Sequence, residues 1–167
     1  MSFKVKRNYL EINSLQELNE GCKPSNDYTL QRVCPENFQL NKFFYKNIGK
    51  NHKWLDRLTW SDEKWISYVS SEKVYTYVFR YKENLVGFFE LIFHSDNKET
   101  EIAYFGILEE YHNQRLGSHL LTEAIKKSFE KNSKRVWVHT CSLDHKNALK
   151  NYLARGMKIY KNETINI

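Results

Sequence analysis

Two periodicities divide the chain. Apolar and polar residues alternate from Phe3 to Ile12 and again from Tyr28 to Val33, so both stretches read as strands ahead of the break at Cys34 and Pro35. Helical spacing then takes over at Phe38, Leu40, Phe43, Phe44 and Ile48, which predicts a first helix over residues 36 to 48 closed by Gly49. A second helix starts at Ser61, an N-cap residue followed by Asp62 and Glu63, with Trp65, Ile66 and Val69 as its apolar face.

Three strands follow, Val74 to Tyr81, Leu85 to Phe93 and Glu101 to Leu108, joined by short polar turns at residues 82 to 84 and 95 to 98. From Gln114 to Lys131, Leu116, Leu120, Leu121, Ile125 and Phe129 share one helical face, with Lys126, Lys127 and Lys131 near the C-terminal end. Residues 135 to 140 are rich in β-branched and aromatic side chains and predict a strand. A helix from about His145 to Arg155 ends at Gly156, and Met157 to Ile165 supplies one or two closing strands. The order is β, β, α, α, β, β, β, α, β, α, β. A right-handed crossover should make strands 101 to 108 and 135 to 141 parallel, leaving a cleft where their C-terminal ends diverge.

Composition narrows the reading. With 167 residues, 41% hydrophobic and 15% aromatic, the chain fits one core-forming domain, residues 1 to 167, without repeats or linkers. No apolar run reaches the roughly 18 residues of a membrane helix, and the charged start lacks a signal-peptide pattern, so a cytoplasmic location is expected. Cys22, Cys34 and Cys141 have neither disulfide nor zinc spacing; no metal is expected, and the thiols are read as reduced. The net charge of +6 is spread among Asn and Glu rather than gathered into one block.

The segment from Tyr111 to Leu121 joins a strand to a helix. Uncapped first-turn amides and the helix dipole suit a pyrophosphate there, with His112 and Arg115 adding charge and Gly117 allowing close approach. This segment resembles the acetyl-CoA loop of the GNAT superfamily of N-acetyltransferases, Arg/Gln-x-x-Gly-x-Gly/Ala, with His112, Arg115 and Gly117 in its three places. Residues 144 to 157 resemble the family's later motif, Asn-x-x-Ala-x-x-x-Tyr-x-x-x-Gly-Phe. Ala148, Tyr152 and Gly156 match it in register, while His145 and Met157 depart from it.

The resemblance implies a GNAT-like α/β (α+β) fold: a mixed, mostly antiparallel central sheet of six to seven strands with a βαβ crossover and helices on both faces. It implies a cofactor-binding core at about residues 74 to 157 and direct acetyl transfer from acetyl-CoA to a primary amine. Gly106, Ile107 and Leu108 would pair with the pantetheine through their backbones. His112, Asn113, Gln114, Arg115, Leu116, Gly117 and Ser118 would hold the phosphates. His145 and Asn147 would meet the cofactor's amide or phosphates, or serve the first turn of their helix, where Asp144 is the expected cap. Tyr152 would be the acid for the leaving thiolate, and Glu101, Glu90 or a water the base. Plain strand alternation puts Glu101 with Ala103 and Phe105, and Ile102 with Tyr104 and Gly106.

His139 shares a strand face with Trp137 and Cys141, pointing either into the core or toward the cleft, and a hydrogen-bonded structural histidine is the commoner outcome. A Cys141–His139 nucleophile is rejected, because i and i+2 along a strand lie about 7 Å apart. Two rival readings remain: a catalytically silent acyl-CoA-binding module of the same fold, and a basic nucleic-acid-binding domain with Trp54, Trp60 and Trp65 as stacking surfaces. The acceptor, the acyl length and self-association as a homodimer stay open.

Overall fold

The structure is a computed structural model that describes residues 2–167. Its strands are β1 (Lys4–Ile12), β2 (Tyr28–Arg32), β3 (Val74–Tyr81), β4 (Asn84–His94), β5 (Glu99–Ile107), β6 (Arg135–Cys141) and β7 (Lys158–Asn166). Its helices are α1 (Phe38–Gly49), α2 (Asp62–Val69), α3 (Leu116–Phe129) and α4 (Ala148–Ala154), with short 3-10 turns at Leu15–Glu17 and Glu109–Tyr111. The strands form one seven-stranded sheet in the order β2-β3-β4-β5-β6-β1-β7. Every pairing is antiparallel except β5 with β6, as the crossover requires. The α/β fold and the mostly antiparallel sheet therefore stand as expected.

Local chemistry explains the element ends. Asn37 caps α1 by accepting from the Gln39 amide, and Ser61 caps α2 by accepting from the Lys64 amide at 3.2 Å. Gly49 is the last residue of α1, and a Cβ there would run into the Trp54 ring. The expected helix at residues 114 to 131 is shorter, running Leu116–Phe129, because the left-handed backbone at Arg115 keeps residues 114 and 115 out of it. The C-terminal residues form one strand.

Two apolar layers cover the sheet. On one face, Leu120, Leu121, Ile125 and Tyr152 from α3 and α4 pack on Phe89, Leu91, Ile102 and Val136. On the other face, Phe44 and Ile48 of α1 pack on Val78 and Phe88. The second layer stops at β5, so Tyr9, Trp137 and His139 form an aromatic row on that face, with ring centroids 5.6 to 6.4 Å apart.

One irregularity controls everything that follows. The β4–β5 register shifts at Glu90 and Leu91, so Ala103 is the extra residue of a bulge. Simple alternation fails there: Glu101 shares a face with Tyr104 and Gly106, while Ile102 lies with Phe105. The β5–β6 ladder ends at the same point, with Glu101 opposite Trp137 as its last pair. A bulge bends a strand and tightens its twist, and beyond this one β5 and β6 diverge.

Candidate active site

A cavity of about 740 Å³ opens in the splay. From Ala103 to Ile107, β5 lies along it, paired with β4 on one side and without a strand partner on the other. The cavity passes between the two faces of the sheet. One half is bounded by the loop at residues 111 to 118 and by α4, and the other by the α1–α2 segment, β1 and β6.

The loop half has the features an anion needs. Arg115, at the N-cap of α3, has φ 60°, and no side chain caps the first turn, so the amides of that turn are open to a ligand. The left-handed backbone at Arg115 explains why the related pattern has glycine at this place. At Gly117 an added Cβ would meet nothing nearer than the Asn151 amide nitrogen at 3.7 Å. The protein itself leaves room there, and Asn151 donates to the Gly117 carbonyl, tying α4 to the start of α3. These amides, the Arg115 charge and the open edge of β5 fit the diphosphate and amide-rich arm of coenzyme A.

Most of the expected cofactor residues line the cavity: Gly106 and Ile107 on β5, and His112, Asn113, Arg115, Leu116, Gly117 and Ser118 on the loop. His145, Asn147 and Tyr152 join them from the α4 side. Leu108 and Gln114 lie outside the lining. The Leu108 amide is already bonded to the Val86 carbonyl at 2.8 Å. Gln114 is exposed on the loop. His112 is engaged too: its Nε2 donates to the Ile107 carbonyl at 2.9 Å, which folds the loop back on the strand end.

The His145 ring packs against those of His112 and His52, with centroids 5.0 and 6.2 Å away. Burial and the neighbouring His112, His52 and Lys146 lower its pKa below the usual imidazole value. No group of three His, Cys, Asp or Glu is placed to hold a metal ion among the described residues. Asp144 is not the cap of α4. It accepts from the Thr140 hydroxyl and the Cys141 amide at 2.6 and 2.9 Å, closing the turn after β6.

Tyr152 is 7% exposed, lines the cavity and stands 6.4 Å from the Phe105 ring. Burial, assisted by the Asp144 charge, raises its pKa, so the phenol stays protonated at neutral pH. The candidate bases fare differently. Glu90 is fully buried, accepts from Arg57, Asn41 and Tyr68, and lies outside the cavity lining. Glu101 sits at the closed end of the splay beside His94, 3.7 Å away, outside the cavity lining. Burial raises its pKa against the pull of His94 and Arg57.

The other half of the cavity holds groups that sequence reasoning missed. Asp56, between α1 and α2, accepts from the Tyr45 hydroxyl at 2.7 Å and the Tyr104 hydroxyl at 2.9 and 3.0 Å. Arg7 enters from β1, opposite Cys141. His139, expected to be structural, is exposed and lines the cavity. A signal for Arg7 existed only in its alternation with Val5 and Tyr9; nothing local tells that β1 lies beside β6. The tryptophans do not form a stacking surface: Trp65 is 1% exposed, and Trp60 and Trp65 close around the Arg57 guanidinium.

No helix among the described residues is long and apolar enough to cross a membrane. No curated protein matches the chain. Among solved structures, a GCN5-related N-acetyltransferase from Sphaerobacter thermophilus is similar, with TM-score 0.73, 15% identity, and coverage of 99% of this chain and 52% of that one. A GCN5-related N-acetyltransferase from Kribbella flavida gives TM-score 0.68 and 15% identity over 96% of this chain and 56% of its own. The chain thus spans about half the length of these two proteins. An aminoglycoside acetyltransferase from an uncultured soil metagenomic sample, in complex with trehalose, gives TM-score 0.64 and 15% identity over 78% and 88%. The profile of the acetyltransferase (GNAT) family matches residues 34–157, from the residue before Pro35 through the splay and both loop motifs, and the chain belongs to that family.

Proposed function

We propose that the chain acts as a single-domain N-acetyltransferase that moves an acetyl group from acetyl-CoA directly to a primary amine, with its cofactor core at about residues 74 to 157. The observation that carries this reading is the splay: an open strand edge, an uncapped helix start and a buried, protonated tyrosine meet around one cavity. When bound, acetyl-CoA supplies a thioester carbon open to attack by an amine. Arg115 and the first amides of α3 hold its phosphates, and Gly106 and Ile107 offer backbone groups to the arm. Tyr152 gives its proton to the departing sulfur. Glu101 has a lesser claim to the amine's proton, because its carboxylate lies at the closed end beside His94.

The test is release of thiol from acetyl-CoA in the presence of a panel of primary amines. Wild-type protein should release thiol with at least one amine, and Tyr152→Phe should cut turnover by about 10²-fold, the size of a lost general acid, with little change in acetyl-CoA affinity. Binding of acetyl-CoA without thiol release for any amine would make the protein a silent module. A Tyr152→Phe variant with unchanged turnover would remove the tyrosine from the chemistry.

A further inference from the structure

The acceptor half of the cavity has a polarity that names a substrate class. Arg7 lines it from β1, and its side chain is 29% exposed. Its one ion-pair partner among the described residues, Glu163, is 3.8 Å away and is already served by the Tyr9 hydroxyl at 2.7 Å and by Lys161 at 3.7 Å. Two cations thus face one carboxylate, and Arg7 keeps an unneutralised charge. Its Nε is buried with no hydrogen-bond partner. A buried donor without an acceptor is unfavourable, so the guanidinium is suited to take up a ligand's oxygen. A second wall carries a carboxylate: Asp56, which accepts from two phenols, beside the half-buried Trp54 and Tyr104 rings. Arg57, the next residue, turns inward to Glu90 and does not neutralise it.

His139 stands between these walls. It follows the last β5–β6 pair by two residues, opposite Tyr9 in the β1 register, with ring centroids 5.6 Å apart. The charged groups that act on it come from every neighbouring element: Arg7 on β1, Asp56 before α2, Asp144 after β6 and Glu163 on β7. The Tyr9 ring crowds one side although the other faces the open cavity. Although one edge of the ring is open to solvent, the packing around the rest of it and the Arg7 charge lower its pKa, so the imidazole is neutral and able to take a proton at pH 7.

Building on the acetyltransferase reading, we propose that the acceptor is a small amino carboxylate, its carboxylate bound by Arg7 and its amine placed between Asp56 and His139, with His139 as the base. In the transfer, the neutral amine nitrogen forms a bond to the acyl carbon as the carbon–sulfur bond breaks. The nitrogen's proton goes to His139 and the sulfur receives one from Tyr152. Solvent then carries the His139 proton back to Tyr152, so the sum is amine plus thioester to amide plus thiol.

The experiment compares amino acids and ω-amino acids with the amines made by removing their carboxylate, in wild type, Arg7→Met, Arg7→Lys and His139→Gln, with circular dichroism and acetyl-CoA calorimetry as controls for folding and cofactor binding. The expected result is a lower KM for the amino carboxylates. Arg7→Met should raise that KM by roughly tenfold or more, the loss of a charge-assisted hydrogen bond, and should change the KM of the decarboxylated amines far less. Arg7→Lys should restore part of it. His139→Gln should lower kcat by about 10²-fold and abolish the fall of kcat/KM below about pH 6.5. Equal KM values with and without the carboxylate, or a His139→Gln profile like wild type, would overturn the proposal while leaving acetyl transfer in place. Absence of acetyl-CoA binding in the calorimeter would overturn both.

Discussion

The Arg57–Glu90 pair is the most demanding test of how the α1–α2 side of the cavity is held. The two side chains are 5% and 0% exposed and meet at 2.9 Å, and Glu90 also accepts from Asn41 at 2.9 Å and Tyr68 at 2.9 Å. Four aromatic rings surround the guanidinium within 5.5 Å: Trp60, Trp65, Tyr68 and Tyr104. The Arg57 amide donates to the Tyr45 hydroxyl at 3.0 Å, and that hydroxyl donates in turn to Asp56. Replacing Arg57 with Met strands a buried carboxylate, and breaking such a pair costs about 3–5 kcal/mol. For a chain of this length that is roughly 6–20 °C in Tm. The double variant Arg57→Met/Glu90→Gln removes the charge; the glutamine oxygen still accepts from Asn41 and its amide can donate to the Tyr68 hydroxyl, so most of the loss should return. Urea denaturation read by fluorescence at constant m gives both values. The reasoning fails if Arg57→Met costs under about 1 kcal/mol or if the two substitutions simply add.

Further outcomes follow from the same geometry. Arg115→Gly removes a left-handed non-glycine residue and should stabilise the fold by about 0.5–1 kcal/mol, seen as a higher urea midpoint. The same change should weaken coenzyme A more than a pantetheine analogue lacking the phosphates; equal weakening would remove the arginine from the anion site. Gly106→Ala would place a Cβ 2.7 Å from Ile48 Cγ2, so α1 must shift and thermal stability should drop by about 1–3 kcal/mol. His139, His145 and His119 all have lowered pKa values, led by burial, so the folded chain binds fewer protons than the unfolded one just below about pH 6.5. Stability should therefore rise with pH through that window, and melting curves at pH 5.5 and 7.5 should show the slope reduced in His145→Gln.

The legible parts of the molecule were those encoded over a few turns. Helical spacing located α1, α3 and α4, and Ser61 marked the start of α2 because capping is a local hydrogen bond. The register of Ala148, Tyr152 and Gly156 placed the tyrosine at the cavity wall. Three things were not legible. The bulge at Ala103 reversed the facing of Glu101 relative to Tyr104, since a bulge depends on the twist of the whole sheet rather than on its own residue. The insertion of β1 between β6 and β7 brought Arg7 to the cavity through a contact more than 130 positions apart in sequence. Glu90, a plausible base by strand position, was claimed by Arg57 from a segment with no regular structure.

The central claim is that the splay between β5 and β6 receives an acyl-CoA. Hydrogen–deuterium exchange with and without saturating acetyl-CoA tests it most directly. The account predicts slowed exchange at residues 103 to 107, where β5 lacks a strand partner, and at residues 116 to 118 at the start of α3. Unchanged exchange in both segments, or protection confined to another part of the sheet, would contradict it.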